Sequence, residues 1–321
     1  MEFDVQYLLF LQQLRNACGG CFDELFNAIS KIAVDVMPLL PFMVFWCVDK
    51  KWGYRFITTI WLGEVVNGLI KLTVCAYRPW IKSDLIEPAG DSKVAATGYS
   101  FPSGHTMCAT ATYGTTAVWQ YRKRRWLSIT CIVMIFLTMF SRNILGVHMP
   151  QDVIVGFIET SLLVFAIGWG MSRMEGKEKM PEYLSIAGIA LVVIALVYIL
   201  LKPYPMDYVD GALLVDPQKM MKDTFSGCGG ILGLIIASYL ERHTIHFEIP
   251  KGSEFLAPMT AIGLGIVLSW DSYVAKATVI QMLGANWGNF VSSFIKLIFV
   301  VAVYPVFLMK VCSAQRAQET Q

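Results

Sequence analysis

The stretch SRNILGVHMPQDV, residues 141–153, lies between two strongly apolar segments, yet it contains an arginine, a histidine and an aspartate. Ionisable groups are costly in a bilayer, so their presence at the end of an apolar segment indicates a functional site. Gly146 is typical of a helix end, and Pro150 suits the first turn of the next helix. The stretch therefore predicts two helices joined by a short polar loop, with Asp152 in the first turn of the second.

The composition is that of an integral membrane protein. Of the 321 residues, 55% are hydrophobic and 16% are charged, whereas a soluble domain carries about 25% charged residues. The formal net charge of +2 gives no support to a nucleic-acid partner. The N-terminus has no basic region followed by a short apolar core and a small-residue cleavage site, so a cleaved signal peptide is not expected.

Nine segments are candidates for membrane-spanning helices, since a span needs ~20 mostly apolar residues. Basic residues follow every odd-numbered segment, and basic loops favour the cytoplasmic side. The N-terminus and the loops after the even-numbered segments are therefore predicted outside. The nine segments cover about residues 29–48, 56–77, 104–121, 127–145, 151–172, 183–201, 223–240, 256–270 and 287–311.

Two further groups of polar residues are predicted at the same outer face. Lys71 and Arg78 precede Pro79 at the end of the second span. They are seven residues apart, which predicts that they share one helix face. The third span opens with PSGH, residues 102–105, and a proline suits a helix start.

The start of this third span is a predicted anion site. The amides of Ser103, Gly104 and His105 would be free donors at a helix N-terminus, and Gly104 lets an anion approach the backbone closely. Next to the fourth and fifth spans, Asp152 can accept a hydrogen bond from one imidazole nitrogen of His148. The other nitrogen is then free to attack.

Three fixed cations, two histidines, a carboxylate and a helix N-terminus are the groups that phosphoryl transfer needs. Cations and amides neutralise the phosphate oxygens, while one histidine attacks and the other protonates the leaving oxygen. The sequence contains no acidic cluster suited to a metal pair, so we expect no metal and no other cofactor. The cations are Lys71, Arg78 and Arg142.

Three motifs, K-x6-R-P, P-S-G-H and S-R-x5-H-x3-D, resemble in residue, spacing and order those of the type 2 phosphatidic acid phosphatase superfamily, which includes vanadium haloperoxidases. The resemblance covers about residues 56–170. It implies that His148 is the nucleophile and forms a phosphohistidine, that His105 is the acid, and that Asp152 orients His148. It also implies metal independence. The implied phosphate-binding residues are Lys71, Arg78, Ser103, Gly104 and Arg142.

The predicted fold is all-α: a polytopic transmembrane helical bundle of about nine spans that contains a phosphatase core. Residues 1–26 are predicted to be an N-terminal interfacial segment, because residues 3–15 are too short to span and suit an interfacial helix. Residues 27–175 would form the transmembrane phosphatase core, and residues 176–321 the C-terminal transmembrane helices.

The predicted function is hydrolysis of a lipid phosphate monoester or lipid pyrophosphate at the extracytoplasmic face of a membrane. A bacterial plasma membrane is expected, and an endoplasmic reticulum with the same topology stays open. Two alternatives also stay open: a glucose-6-phosphatase-like hydrolase of a soluble phosphate ester, and a non-catalytic protein that binds or transports a lipid phosphate. A small-residue stripe, Gly229, Gly233 and Ala237, fits helix packing within the chain or in a homodimer through the C-terminal helices.

Two buried carboxylates are predicted close to these groups. Glu64 lies seven residues before Lys71, and Glu159 lies seven residues beyond Asp152. A supporting role behind the phosphate-binding residues and a structural hydrogen bond are both open for each.

Overall fold

The computed structural model describes residues 3–96, 98–177, 179–209 and 211–319, and it is helical over most of this length. A short antiparallel sheet pairs β1, Tyr208–Val209, with β2, Ala212–Leu213. The predicted all-α class is confirmed. The helices are α1 Phe3–Ala17, α2 Asp23–Val48, α3 Lys50–Val74, α4 Pro79–Lys82, α5 Ser92–Ala95, α6 104–120, α7 Arg125–Ile144, α8 Pro150–Met174, α9 Met180–Leu201, α10 Pro217–Ile245, α11 Leu256–Ser269, α12 Ile280–Ile298 and α13 Tyr304–Glu319.

Seven helical stretches among the described residues are long and apolar enough to cross a membrane. The predicted count of about nine is not confirmed. The predicted third span is α6, and its helix, 104–120, is shorter than the ~20 residues that a span needs. The predicted eighth and ninth spans belong to one stretch, Leu256–Ala314. In this stretch, π-helical turns at Trp270–Val279 and Phe299–Val303 join α11, α12 and α13.

This last stretch reverses its direction inside α12. Gly284 has φ 77° and ψ 168°, a backbone conformation that glycine adopts readily. The two sides of Gly284 then pair, because Trp270 Nε1 donates to Ser292 Oγ at 2.8 Å and Lys296 Nζ lies 2.8 Å from Asp271 Oδ2. The chain before and after Gly284 therefore runs antiparallel.

Packing divides the chain into two compact units, and every residue of the three motifs lies in the first. The division of the sequence into an N-terminal segment, a core and C-terminal helices stays a prediction. The first unit comprises Met1–Pro38, Val66–Ala166 and Leu201–Met221, and the second comprises Leu39–Val65, Ile167–Leu200 and Lys222–Gln321.

The core of the first unit gathers side chains from the helices that carry the motifs. Ala33 of α2, Tyr113 of α6, Ile135 of α7 and Val153 of α8 belong to one buried cluster. Burial of a large apolar side chain stabilises the fold by about 1.5–3 kcal/mol. This cluster therefore packs α2, α6 and α7 against the start of α8.

The N-terminal helix predicted over 3–15 is present as α1, and it is bonded to the loop between α4 and α5. Arg15 Nη2 donates to the carbonyl of Glu87 at 2.9 Å, and Gln12 Nε2 donates to that of Leu85 at 3.2 Å. The amide of Glu87 donates back to Gln12 Oε1 at 2.8 Å. These bonds fix α1 within the first unit, while its predicted position at a membrane interface stays a prediction.

The small-residue stripe of α10 packs within the second unit. A Cβ atom on Gly229 would lie 2.0 Å from the carbonyl oxygen of Phe290, and one on Gly233 would lie 2.5 Å from that of Phe294. Only glycine allows α10 to approach α12 this closely. The stripe thus has a partner inside the chain, and it gives no reason to expect a homodimer.

Candidate active site

The third motif forms a buried loop between α7 and α8, as its sequence predicts. Gly146, which follows the C-cap Leu145 of α7, takes φ 71°, and Pro150 begins α8. Asn143 Nδ2 donates to the carbonyl of His148 at 2.9 Å, which ties the loop to the last turn of α7. The side chain of Met149 packs on α1. The loop is thereby held at both of its ends and from one side.

His148 is 2% exposed, and both of its ring nitrogens have partners. Its Nδ1 lies 3.2 Å from Asp152 Oδ2, and its Nε2 lies 2.9 Å from Arg78 Nη1. A guanidinium group can only donate, so Nε2 accepts from Arg78 and the ring proton of neutral His148 is on Nδ1. The predicted pairing of Asp152 with one ring nitrogen is present, but the other nitrogen is occupied by Arg78.

Asp152 is held by three further groups. The amide of Met149 donates to Asp152 Oδ2 at 3.0 Å, and the hydroxyl of Ser100 donates to the same oxygen. The carbonyl oxygen of Asp152 accepts from the amide of Ser103 at 3.0 Å. The carboxylate beside His148 is therefore itself fixed, and the backbone of Asp152 joins the third motif to the second.

The charge state of His148 follows from its surroundings. Burial, and then the positive charges of Arg78, Arg142 and Lys71, hold the pKa of His148 well below its ordinary value. The imidazole is therefore neutral at physiological pH and keeps a lone pair on Nε2. A neutral imidazole is the form that can act as a nucleophile.

The first motif departs from the prediction in one respect. Lys71 is in the last turn of α3, which ends at Val74, so it does not share a helix face with Arg78. Cys75 takes φ 51° and its amide bonds to the carbonyl of Lys71 at 3.0 Å. Arg78 is extended, as expected for a residue before proline. The spacing of seven residues reflects a helix end followed by a turn.

Arg78 and Arg142 are both buried, and both bring positive charge to His148. Arg78 Nη1 also donates to the carbonyl of Val147 at 2.9 Å, and its Nε donates to that of Gly98 at 3.1 Å. Arg142 Nη1 donates to Ser30 Oγ at 2.6 Å. Arg142 Nε is buried without a hydrogen-bond partner among the described residues. A buried donor left in this state is suited to an incoming anion.

The second motif begins α6 with Ser103 as the N-cap. Its hydroxyl accepts from the amide of Thr106 at 3.3 Å. The prediction that the amide of Ser103 is a free donor is wrong, because this amide bonds to the carbonyl of Asp152. A Cβ atom on Gly104 would lie 3.9 Å from Lys71 Nζ, so the first and second motifs meet at Gly104. The role of the Ser103 hydroxyl in phosphate binding stays a prediction.

His105 completes the cluster from the first turn of α6. It interacts electrostatically with Arg142, Arg78 and Lys71, and also with His148. All eight residues predicted for the site therefore belong to one cluster of the first unit. Their assigned roles in binding and catalysis stay predictions.

Comparison with known proteins places this cluster in a family. Residues 52–177 match the model of the PAP2 superfamily, and this range includes all three motifs. This region is a PAP2 domain. We call the eight predicted site residues within it the PAP2 cluster.

Two curated relatives of the chain are phosphatases by name. The undecaprenyl-diphosphatase of Sulfolobus acidocaldarius is 25% identical over 129 residues, which are 40% of this chain and 60% of the relative. Phosphatidylglycerophosphatase B of Escherichia coli K12 is 38% identical over 82 residues, which are 25% of this chain and 32% of the relative. The chain thus spans less than two thirds of the length of each. No solved structure matches the chain.

Three polar residues that bond to members of the PAP2 cluster were missed by sequence reasoning. Ser100 bonds to Asp152, Ser30 bonds to Arg142, and Asn143 bonds to the carbonyl of His148. Asn143 directly follows Arg142 in the third motif, so its position was a usable signal. A lone serine carries no such signal, and Ser30 is 112 residues from its partner.

The two predicted buried carboxylates have different surroundings. Glu159 Oε1 accepts from Asn67 Nδ2 at 2.5 Å, and Asn67 Oδ1 lies 4.0 Å from the position of a Cβ atom on Gly104. Glu159 therefore lies behind the residues predicted to bind phosphate, and both a supporting role and a structural hydrogen bond stay open for it. Glu64 belongs to the second unit, where it interacts electrostatically with Lys296 and Asp271.

Proposed function

We propose that the chain is an integral membrane phosphatase that hydrolyses a lipid phosphate monoester or a lipid pyrophosphate through a phosphohistidine intermediate. The observation that carries the proposal is the setting of the His148 ring. Its Nδ1 is 3.2 Å from Asp152 Oδ2, and its Nε2 is 2.9 Å from Arg78 Nη1. In this arrangement the ring proton is on Nδ1 and the lone pair is on Nε2, and a cation that we propose to bind phosphate lies beside that lone pair.

The names of the two relatives favour a lipid substrate. One is called an undecaprenyl-diphosphatase and the other a phosphatidylglycerophosphatase. The first and third motifs of this chain also lie at the ends of helices that are apolar enough to span a membrane. A site beside such helix ends suits an amphiphile whose tail stays in the bilayer.

The first step begins with binding of the phosphate. Its oxygens take the hydrogen bonds of Arg78 and Arg142, including the one that Arg78 gives to His148, and this releases the lone pair on Nε2. Nε2 attacks phosphorus, and the bond from phosphorus to the leaving oxygen breaks. His105, which takes up a proton when the phosphate dianion binds beside it, gives this proton to that oxygen, and the alcohol or lipid phosphate leaves.

The second step regenerates the enzyme. A water molecule attacks the phosphorus of the phosphohistidine while neutral His105 takes one of its protons. The bond between phosphorus and Nε2 breaks, and its electron pair returns to the ring of His148. Inorganic phosphate leaves, and His105 is protonated again. Lys71, Arg78 and Arg142 neutralise the charge on the phosphoryl oxygens in both steps, the task that divalent cations perform in many other phosphatases.

A trapping experiment tests the reaction. Purified full-length protein is mixed with a phosphatidic acid labelled with ³²P in its phosphate, quenched within milliseconds in alkali, and examined for alkali-stable, acid-labile label on the chain. Wild type should release phosphate and carry the label, with and without EDTA, and vanadate should inhibit both. His148→Ala should do neither. Wild type that binds the lipid but releases no phosphate would favour a binding or transport protein instead.

A substrate panel tests the lipid assignment in the same preparation. Phosphatidic acid, a prenyl diphosphate and glucose 6-phosphate are compared by kcat/KM. We expect at least a tenfold preference for the lipids, about 1.4 kcal/mol. A preference for glucose 6-phosphate would favour the soluble-ester alternative.

Labelling of single cysteines tests the proposed extracytoplasmic face. Asp91 and Arg124 are both exposed, and they lie in loops that the basic-residue pattern predicts on opposite sides. Each is replaced by cysteine in a cysteine-free chain and treated in intact cells with a membrane-impermeant thiol reagent. Cysteine at position 91 should react without lysis, and cysteine at position 124 only after lysis. The reverse result would place the site at the cytoplasmic face.

A further inference from the structure

The connection between α1 and α2 carries two cysteines in a C-x-x-C sequence. Residues 18–21 read CGGC, and we call them the CGGC turn. Cys18 and Cys21 are exposed, whereas the other six cysteines of the chain are partly or fully buried. All eight cysteines lie in the part of the chain that the structure describes. The two thiols of the CGGC turn are therefore the ones that a reagent in solution reaches most easily.

Backbone hydrogen bonds determine the shape of the CGGC turn. The amide of Gly20 donates to the carbonyl of Arg15 at 3.0 Å, as in a Schellman helix end. The amide of Cys21 then donates to the carbonyl of Cys18 at 3.3 Å, which closes a four-residue turn. Gly19 and Gly20 take φ 61° and 69°, so both central positions of this turn have positive φ.

This turn brings the backbones of the two cysteines within reach of a disulfide. The first and fourth residues of a β-turn have Cα atoms less than ~7 Å apart, and most disulfides join Cα atoms that are about 4.4–6.8 Å apart. Glycine adopts positive φ at two successive positions without steric cost. A Cβ atom on Gly19 would meet nothing within 4 Å, so packing does not require glycine there. Glycine at this position serves the backbone shape that pairs Cys18 with Cys21.

The CGGC turn lies on the same side of the first unit as the third motif. Arg15, three residues before the turn, donates through Nη1 to the carbonyl of Ile144 at 3.4 Å. Ile144 is the last residue of α7, directly before the third-motif loop. Arg15 Nε also lies 4.0 Å from Asp23 Oδ2 at the start of α2. The turn and the candidate site therefore share one face of the membrane, and on an extracytoplasmic face disulfides persist.

We propose that Cys18 and Cys21 form a reversible disulfide, which makes the CGGC turn a thiol–disulfide modification site. The pairing is independent of the phosphatase reaction, and only the expectation of an oxidised pair in cells rests on the proposed extracytoplasmic face. The oxidant is a small disulfide such as oxidised glutathione.

The exchange takes place in two steps. The thiolate of one cysteine attacks a sulfur of oxidised glutathione, and a mixed disulfide forms while one glutathione thiolate leaves. The second cysteine thiolate attacks the sulfur of the first, the Cys18–Cys21 bond forms, and the second glutathione thiolate leaves. The two protein thiols thus lose two electrons and two protons, which end on two molecules of reduced glutathione.

The disulfide would close a ring of four residues at an exposed turn. A cross-link across so short a loop adds little stability, and an exposed disulfide is accessible to reductants. The bond would join the end of α1, which Arg15 ties to α7, to the residues that lead into α2, which Ser30 ties to Arg142. Oxidation should therefore raise the melting temperature of the purified protein by a small amount, about 2–5 °C.

Titration with glutathione tests the pairing. Purified full-length protein is equilibrated with mixtures of reduced and oxidised glutathione, quenched in acid, alkylated and digested with trypsin. Residues 16–31 form one tryptic peptide that contains both cysteines. As the share of oxidised glutathione rises, this peptide should appear without alkyl groups and lighter by two hydrogen atoms, and dithiothreitol should reverse the change. Cys18→Ser/Cys21→Ser is the control, and its melting temperature should not respond to the glutathione ratio.

A glycine variant tests whether the turn sets the pairing. Gly19→Ala keeps both thiols and adds a methyl group that meets no other atom within 4 Å, but it disfavours the positive φ. The equilibrium constant for oxidation by glutathione should fall by about tenfold in this variant. An unchanged constant would show that the backbone of the turn does not bring the cysteines together.

The remaining outcomes separate the disulfide from the proposed function. Thiols that stay free at every glutathione ratio, or that form only adducts with glutathione, would overturn the proposal. The same peptide from cells quenched in acid should be oxidised. Two thiols in cells, in a protein whose purified pair oxidises, would support the pairing and argue against the extracytoplasmic face. Phosphate release from phosphatidic acid is measured on the same preparation, so a failure of the phosphatase function is seen independently of the disulfide.

Discussion

The two histidines of the PAP2 cluster have contrasting surroundings. His148 is 2% exposed, and its ring contacts Asp152 through one nitrogen and Arg78 through the other. His105 stands in the first turn of α6 and is partly exposed, and the described residues form no hydrogen bond with its ring. The ring of His148 is fixed in position and tautomer, whereas the ring of His105 is positioned only by the start of α6.

The difference matches the tasks proposed for the two rings. A nucleophile must meet the same phosphorus atom in every substrate, so a fixed orientation helps it. A general acid must reach leaving oxygens on different headgroups, and a ring without side-chain hydrogen bonds can adjust. The side chains around a histidine can therefore indicate its role where its residue type cannot.

The largest loss of activity is expected when His148 is replaced. His148→Ala removes the atom that bonds to phosphorus, so activity should fall by at least about 10⁴-fold on a lipid phosphate and on p-nitrophenyl phosphate alike. Gel filtration of the detergent-solubilised variant checks that it is folded. Recovery of the variant on the activated ester, with His105→Ala remaining inactive, would reverse the two roles.

A smaller loss is expected when only the orientation of His148 is weakened. Asp152→Asn keeps the shape of the side chain, but its amide can turn a donor toward Nδ1 and favour the wrong tautomer. We expect a loss of about 10³-fold, with the same factor on both substrates. Steady-state kcat/KM on the two substrates measures it. A loss confined to the lipid substrate would instead assign Asp152 to headgroup binding.

Replacing His105 should lower activity by a factor that depends on the leaving group of the substrate. His105→Ala should lower activity on a lipid phosphate by about 10²–10³-fold, because the leaving oxygen lacks its proton donor. p-Nitrophenolate leaves without a proton, so the loss on that ester should shrink to about tenfold or less. Thr106→Ser, a neighbour in the same helix turn, is the matched control. An equal loss on both substrates would remove the acid role.

The site was largely predictable because its residues stand in three short motifs. Gly146, Pro150 and the pairing of His148 with Asp152 all follow from local rules on helix ends and spacing. The contact between Arg78 and His148 does not, since it joins residues 70 positions apart. The end of α3 at Val74 was also missed, because Cys75 takes a positive φ that no residue-type signal announces.

The fold was predictable in class but not in the count of spans. Hydropathy shows where apolar segments are, and it does not show where a helix shortens or turns back. Helix α6 covers 104–120, close to the predicted range, but it is shorter than the ~20 residues that a span needs. The reversal at Gly284 lies in an apolar stretch that contains several other glycines. The backbone conformation singles it out, and the sequence does not.

The smallest predicted effect is the pH dependence of wild-type activity, which reports on the surroundings of His148. Burial and the neighbouring cations lower the pKa of His148, so its neutral, nucleophilic form persists to lower pH than in an ordinary histidine. An imidazole with a pKa of about 6.5 loses roughly two thirds of its neutral form between pH 7.0 and pH 6.0. For wild type we expect kcat/KM to fall by less than about twofold over this interval, after correction for the measured ionisation of the substrate phosphate.

Lys71→Met removes one of the cations that lower the pKa of His148, so the acidic limb of the variant's pH profile should move to higher pH even though its overall activity falls. An acidic limb near pH 6.5 in wild type, unmoved by Lys71→Met, would show that burial and charge do not set the protonation of the nucleophile.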